Sequence, residues 1–308
     1  MKNILYTIAF ILISGSLFCQ QETMYTHYLS NRMTINPAYT GTEKGINFLA
    51  MHRSQWVSFS GAPTSQIVSA SMPFEAKNIG AGISFENDNI GPIKNTGIGG
   101  SFSYQLKLKN QSKLSLGLSA KMNVVSAGLT NLAIVNQTDV AFSENIQSKI
   151  LPNFGLGAYY YSEKFFVGLS VPRLLQNGFY SSTTTAEVIA LNNVQRHYYI
   201  IGGTTFSLDS RKELEIKPSA LLKITTGSPI QLDITTRFVY KKKFSAGLMY
   251  RTGDALGVLM GIELFKNFQL GYSYDWSYTN KTFRYNGGSH EVMLKYRILQ
   301  NKAVASLK

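Results

Sequence analysis

Acid–base or metal chemistry in this chain would have to start from four histidines, one cysteine and a His-Glu pair. His27, His52, His197 and His290 lie far apart. None stands in HExxH or HxxxH spacing, which sets two imidazoles on one helix face toward a metal. His290-Glu291 has the residue types of a general acid–base pair, but strand neighbours point to opposite faces. Cys19 falls within a leader, so cleavage after it would leave no thiol nucleophile. No GxSxG elbow and no GxxxxGK(S/T) loop occurs. Gly80-Ala81-Gly82 and Gly97-Ile98-Gly99-Gly100 sit in strand-like sequence with no helix following. There they thin an inner face or permit a bend rather than cradle phosphate. These residues give no catalytic set, no metal site and no cofactor site, and the sequence reads as a non-enzyme.

The elements around them are strands. Phe268, Leu270, Tyr272, Tyr274, Trp276 and Tyr278 share one face, and Gln269, Gly271, Ser273, Asp275 and Ser277 the other. Period two over that length is a strand with one apolar and one polar side. The pattern recurs along the chain and predicts about 14 strands: 46–56, 66–74, 78–88, 96–108, 112–124, 153–161, 164–172, 195–207, 213–225, 229–240, 243–252, 255–265, 267–278 and 289–299. Soluble sandwich strands average about 5–6 residues, whereas a tilted membrane strand needs about 9–11. Every second connection is short and charged, and the long segments, near 125–152, 173–194 and 279–288, fall between them. That alternation is the mark of an even-stranded outer-membrane barrel with short periplasmic turns. The fold expected is therefore all-β, a transmembrane antiparallel β-barrel of about 14 strands with both termini periplasmic. Its polar faces carry both signs: Lys107, Lys113, Lys121, Lys217, Lys223, Arg237, Arg251, Lys295 and Arg297 against Glu86, Glu215, Asp233, Glu263, Asp275 and Glu291. Such a mixture suits a water-filled lumen or a plugged one.

The ends fit an exported chain. Lys2, the apolar run Ile4 to Ile13 and the small residues before Cys19 form a signal peptide, 1–19, cleaved after Cys19 or Gln20. A lipoprotein would acylate Cys19, but bulky Phe18 stands where a small residue is expected. Residues 20–45 contain Met24, Tyr25, Tyr28, Leu29, Met33 and Ile35, too apolar for a solvated tail unless the segment is a disordered leader. A short helix ending at Asn36-Pro37 could enter the lumen or cap its periplasmic mouth. The barrel occupies 46–299, and 300–308 is a periplasmic tail. The net charge of +13 is scattered rather than gathered on one element, which argues against a nucleic-acid partner.

Three stretches carry a family resemblance: Ile35-Asn36-Pro37-Ala38-Tyr39-x-Gly41, Arg53-x-Gln55-Trp56-Val57-x-Phe59-x-Gly61-Ala62-Pro63, and Gly288-Ser289-His290-Glu291 leading into the last strand. Together they resemble the PorP/SprF family of type IX secretion system outer-membrane proteins of Bacteroidota. The resemblance implies a barrel that receives or anchors a large secreted surface protein, often an adhesin, through that protein's C-terminal type IX targeting domain. It also implies possible contacts with other translocon or motility components and, in some members, a role in gliding. The residue types suit barrel architecture as well. Asn36-Pro37 stops a helix, Gly41 and Gly45 suit turns, and Trp56 would end the first strand at the outer interface among lipid headgroups. Gly61-Ala62-Pro63 would tighten the first outer loop. A porin or transporter for small or hydrophobic solutes is the alternative function for the same fold, distinguished by an open lumen.

Overall fold

The computed structural model describes residues 23–130, 132, 144–176, 178–182, 188–193, 195–265, 267–278 and 285–299, the side chains of 178–182 and 188–193 excepted. The strands are β1 (Ile46–Ser54), β2 (Thr64–Phe74), β3 (Ile79–Ile90), β4 (Ile93–Lys107), β5 (Lys113–Ala127), β6 (Ile146–Tyr161), β7 (Phe165–Val171), β8 (Gly178–Ser182) and β9 (Val188–Asn193). They continue as β10 (His197–Thr204), β11 (Phe206–Ser207), β12 (Leu214–Thr225), β13 (Gln231–Tyr240), β14 (Phe244–Arg251), β15 (Ala255–Leu264), β16 (Phe268–Ser277) and β17 (Ser289–Ile298). All pairings are antiparallel; successive wall strands pair, β7 with β10 past the β8–β9 hairpin, and β1 pairs with β17 to close the sheet. β10 and β11 are one stave interrupted at Thr205, and β8–β9 is a separate hairpin. The result is a closed 14-stranded barrel.

Side-chain alternation explains the closure. In β5, Leu116, Leu118 and Met122 face outward and exposed, while Ser115, Gly117 and Asn123 face inward and buried. A sheet apolar outside and polar inside is stable in lipid only when no edge is left unpaired. Tyr240, Phe244 and Tyr296 stand exposed at one end of the wall, and Tyr198, Tyr250 and Trp276 toward the other, the two interfacial girdles of a membrane barrel. An outward apolar groove of about 730 Å³, lined by residues such as Phe102, Leu116, Leu156 and Tyr198, lies on this lipid-facing wall.

The structure extends some expected strands. β6 begins at Ile146 rather than 153, and β5 runs to Ala127. There the ends of β5 and β6 pack around a small core of Val125, Ala127, Leu129 and Ile146, with Ile93 of β4 against it. From Gln147 to Ile150 successive residues of β6 are all exposed, so strict alternation is not required, and Pro152 hides the strand signal further. β1 is shorter than expected, ending at Ser54.

One mouth carries the short turns, including 75–78, 108–112, 162–164 and 241–243. The other carries the longer connections, including 55–63 and 278–288. We call these the short-turn and long-loop mouths.

Candidate functional site

The lumen is occupied by the chain's own residues 23–45. Met24, Thr26, His27, Tyr28, Leu29, Asn31, Met33 and all of 36–41 are buried. The segment descends from one mouth to the other. Thr23 Oγ1 donates to Asp88 Oδ1 (3.0 Å), two residues from the long-loop end of β3. Tyr28 meets Ser219, mid-height on β12 (3.2 Å). Ser103 Oγ, near the short-turn end, donates to Thr40 C=O (2.6 Å), and Glu43 pairs with Lys295 and Arg297 beside the last turn of the wall. Both ends of the chain were expected at the periplasmic mouth. Of the described residues, Ile298 lies at the short-turn mouth and Thr23 at the opposite one.

Why this sequence packs there follows from its residue types. Leu29, Met33 and Tyr28 join Tyr159, Tyr199, Ile201 and Leu221 in the main apolar cluster, each large side chain contributing about 1.5–3 kcal/mol when buried. A single helical turn, α1 (Arg32–Ile35), ends where Asn36 turns extended and its side chain accepts from Ala38 N–H (2.9 Å). The same amide donates to the carbonyls of Ala158 (3.0 Å) and Leu169 (3.3 Å), pinning the plug to the wall. Pro37–Tyr39 forms a 3-10 turn with Pro in its first position, where a missing N–H costs nothing. Arg32 donates to Leu29 C=O (2.8 Å) and Tyr159 Oη (2.7 Å) and stacks on the Tyr39 and Phe166 rings at 4.4 and 4.7 Å, a desolvated cation–π arrangement.

Luminal glycines make the room. A Cβ on Gly117 would lie 2.1 Å from Ala38 N, on Gly157 2.0 Å from Asn36 Oδ1, and on Gly80 2.1 Å from Thr40 C=O. Gly80 had been read as thinning the inner face, and here it does so against the plug. Gly41, at φ +66°, is left-handed and so close to Gly80 that a Cβ would meet that Cα at 2.5 Å.

Near the long-loop mouth an ionic cluster clasps the plug to the barrel's closing seam. Arg53 on β1 and Glu291 on β17 are registered partners across that seam. Glu291 accepts from the backbone N–H of Thr26 (2.8 Å) and His27 (2.7 Å) and from Arg53 Nη1 (3.2 Å), with His27 Nδ1 at 2.8 Å. Arg53 Nη2 donates to Asp275 (2.7 Å), and Thr26 Oγ1 donates to the same carboxylate (2.6 Å). Arg251 continues the chain to Asp233 (3.0 Å) and Asp254 (3.2 Å). Arg53, Arg251, Asp233, Asp275 and Glu291 are all at most 2% exposed. Buried ion pairs give little net stability, but removing one member strands its partners. At the other mouth Glu43 accepts from Tyr39 Oη and pairs with Lys295 (2.7 Å) and Arg297 (3.0 Å), while Arg297 also donates to Asn47 (3.0 Å).

The family-motif residues form a column and a rim rather than one pocket. Asn36, Pro37, Ala38, Tyr39 and Gly41 line the lower lumen. Arg53 and Glu291 meet in the upper cluster, but His290 points outward, with Nδ1 2.7 Å from Tyr272 Oη. Gln55, Trp56, Gly61, Ala62 and Pro63 build the first long-mouth loop. It is tied down by Gln55 N–H to Pro63 C=O (2.9 Å), Gly91 N–H to Gly61 C=O (2.9 Å), and Trp56 N–H to Ser289 Oγ (3.3 Å). Trp56 does not end β1. It lies two residues beyond, half-buried, at φ 45°, a strained backbone for a bulky residue. Beside it Val57 and Phe59 are exposed. Residue types alone did not reveal the clasping roles of Thr26, His27 and Glu43, since their partners lie some 250 residues away. Among the described residues, no group of three or more His, Cys, Asp or Glu is arranged to hold a metal.

A family model for the type IX secretion system membrane protein PorP/SprF matches residues 17–296. The chain belongs to this family. No individually curated protein matches it. Among solved structures, the CymD monoaromatic hydrocarbon channel is similar at 11% identity and TM-score 0.50, covering 88% of this chain and 93% of its own. The outer membrane protein Omp33 of Acinetobacter baumannii is 11% identical with TM-score 0.46 (84% and 100% covered). The translocator domain of the autotransporter NalP from Neisseria meningitidis is 13% identical with TM-score 0.45 (88% and 95%). At such identity the CymD likeness shows the fold alone, an outer-membrane barrel. This PorP/SprF chain is therefore an outer-membrane component of type IX secretion, a family of membrane barrels whose role implies contact with other parts of that system.

Proposed function

We propose that this barrel is a plugged docking partner at the cell surface: it receives and anchors a large secreted, adhesin-like protein through that protein's C-terminal type IX targeting domain. The observation that carries the reading is the lumen, threaded from mouth to mouth by residues 23–45. A barrel braced this way offers the secreted protein its rim rather than a passage. The rim at the long-loop mouth presents the strained Trp56 with exposed Val57 and Phe59, an apolar surface of the kind that marks protein contact. The loops, including 173–194, which carries the β8–β9 hairpin, would complete that surface. In an organism that glides, the anchored adhesin would serve motility.

The test is to extract the protein from native outer membranes in mild detergent and identify what co-purifies by mass spectrometry. Near-stoichiometric recovery of a large protein with a C-terminal targeting domain is expected, and deletion of 173–194 should release it. Recovery of the barrel alone, under conditions that preserve other membrane complexes, would overturn the reading. Planar-bilayer recordings separate it from a solute transporter, since a plugged barrel should be electrically silent.

A further inference from the structure

The course of the plug fixes which way the chain enters the barrel. Thr23 is bonded to Asp88 and lies 3.5 Å from Ser65 Oγ, the second residue of β2. Met24 Sδ lies 3.6 Å from Lys223 Nζ, two residues from the upper end of β12. Thr26 is held by Asp275 and Arg53, respectively two residues and one residue from the long-loop ends of β16 and β1. From there the contacts pass to mid-height at Ser219 (Tyr28) and then to the short-turn half of the wall: Asn36 at Ala158, Ala38 against Gly117, Thr40 against Gly80, Glu43 at Lys295. Gly45 then fits so tightly beside Ile298 that an added Cβ would lie 2.2 Å from its carbonyl oxygen. The two ends of the segment therefore lie at opposite mouths.

Short turns face the periplasm in outer-membrane barrels, so the long-loop mouth faces out. We infer that the mature N-terminus is delivered through the lumen to the cell surface, next to the 55–63 loop, while the C-terminal strand ends on the periplasmic side. The chain thus crosses the membrane once more than its strands do, as an irregular segment with one α-helical and one 3-10 turn enclosed by protein, where its backbone groups find partners. Removal of the leader after residue 19 or 20 leaves two or three residues ahead of Thr23, so the new α-amino group would sit at the outer rim. This inference concerns topology and stands whether or not a secreted protein docks there.

The test places a short epitope between Glu22 and Thr23 and, in a second strain, after Lys308. With intact cells an antibody should bind the first tag as strongly as it does after permeabilisation, and the second only after permeabilisation. A small companion change, Thr23→Cys, guards against a tag that blocks folding. It should react with a membrane-impermeant maleimide on intact cells, with the parent chain, whose one cysteine is Cys19, as background. Reaction of Thr23→Cys only after permeabilisation, or surface exposure of the C-terminal tag instead, would overturn the inference.

Discussion

Adding one methyl group to Gly117 should dislodge the plug, and the size of the effect can be worked out. Its Cβ would stand 2.1 Å from Ala38 N and 2.4 Å from Ala38 Cα. Both are backbone atoms with no side-chain freedom to yield. Ordinary contact begins near 3.4 Å, so Ala38 must retreat by 3.4 minus 2.1, about 1.3 Å. Overpacking of this kind costs about 1–3 kcal/mol. Asn36, two residues away, would carry its amide out of reach of Ala158 and Leu169, now at 3.0 and 3.3 Å, at about 1 kcal/mol per bond. Gly117→Ala should therefore destabilise the barrel by about 3–5 kcal/mol. Gly100→Ala is the matched control, since its Cβ meets nothing within 4 Å and should shift stability by no more than about 0.5 kcal/mol. Urea unfolding in detergent micelles, followed by the fluorescence of Trp56 and Trp276, measures both. Equal midpoints for the two variants would refute the argument, because they would mean that the wall bows outward into lipid and the plug is not held against it.

Glu291→Ala strands Arg53 and two plug amides and should cost about 3–5 kcal/mol by the same unfolding assay; Glu291→Gln, which keeps an acceptor, should cost less. Deleting residues 23–42 should turn a silent barrel into a conducting one in planar bilayers, provided it still inserts. Glu43→Gln removes the charge that pairs with Lys295 and Arg297 and should lower the unfolding midpoint in the same assay, leaving those two cations facing each other.

The wall was legible because lipid enforces it. Residues such as Leu116, Leu118 and Met122 must alternate with Ser115, Gly117 and Ser119 wherever a strand crosses hydrocarbon, so period two in the sequence is a direct image of the solvent. The same rule explains where reading failed. From Gln147 to Ile150, where successive residues of β6 are all exposed, the constraint lapses and the strand could not be seen. At Trp56 the alternation continues past the residue where the backbone has already turned left-handed, so β1 read two residues too long. The motif residues were found by resemblance, but their physical grouping was not, since Arg53 and Glu291 meet only when the first and last strands close.

The plug was half legible for a related reason. Its apolar content marked it as buried, yet its direction is recorded in pairs such as Thr26–Glu291 and Glu43–Lys295, which no local pattern carries. The luminal glycines hold the missing signal. Gly80, Gly117 and Gly157 all sit on polar faces of wide strands, where nothing about lipid or water calls for a missing side chain. A water-filled lumen would tolerate Ser or Asn at each of these positions. Only plug atoms that would lie 2.0–2.1 Å from an added Cβ, the backbone of Ala38 and Thr40 and the side chain of Asn36, make glycine necessary there. A run of glycines on the inward face of several neighbouring strands is thus a physical trace of a chain threaded through the barrel. Here the trace lies in the half of the lumen nearest the short-turn mouth, between the upper ionic clasp and the Glu43 ion pairs, where close packing adds to charge in holding the plug in place.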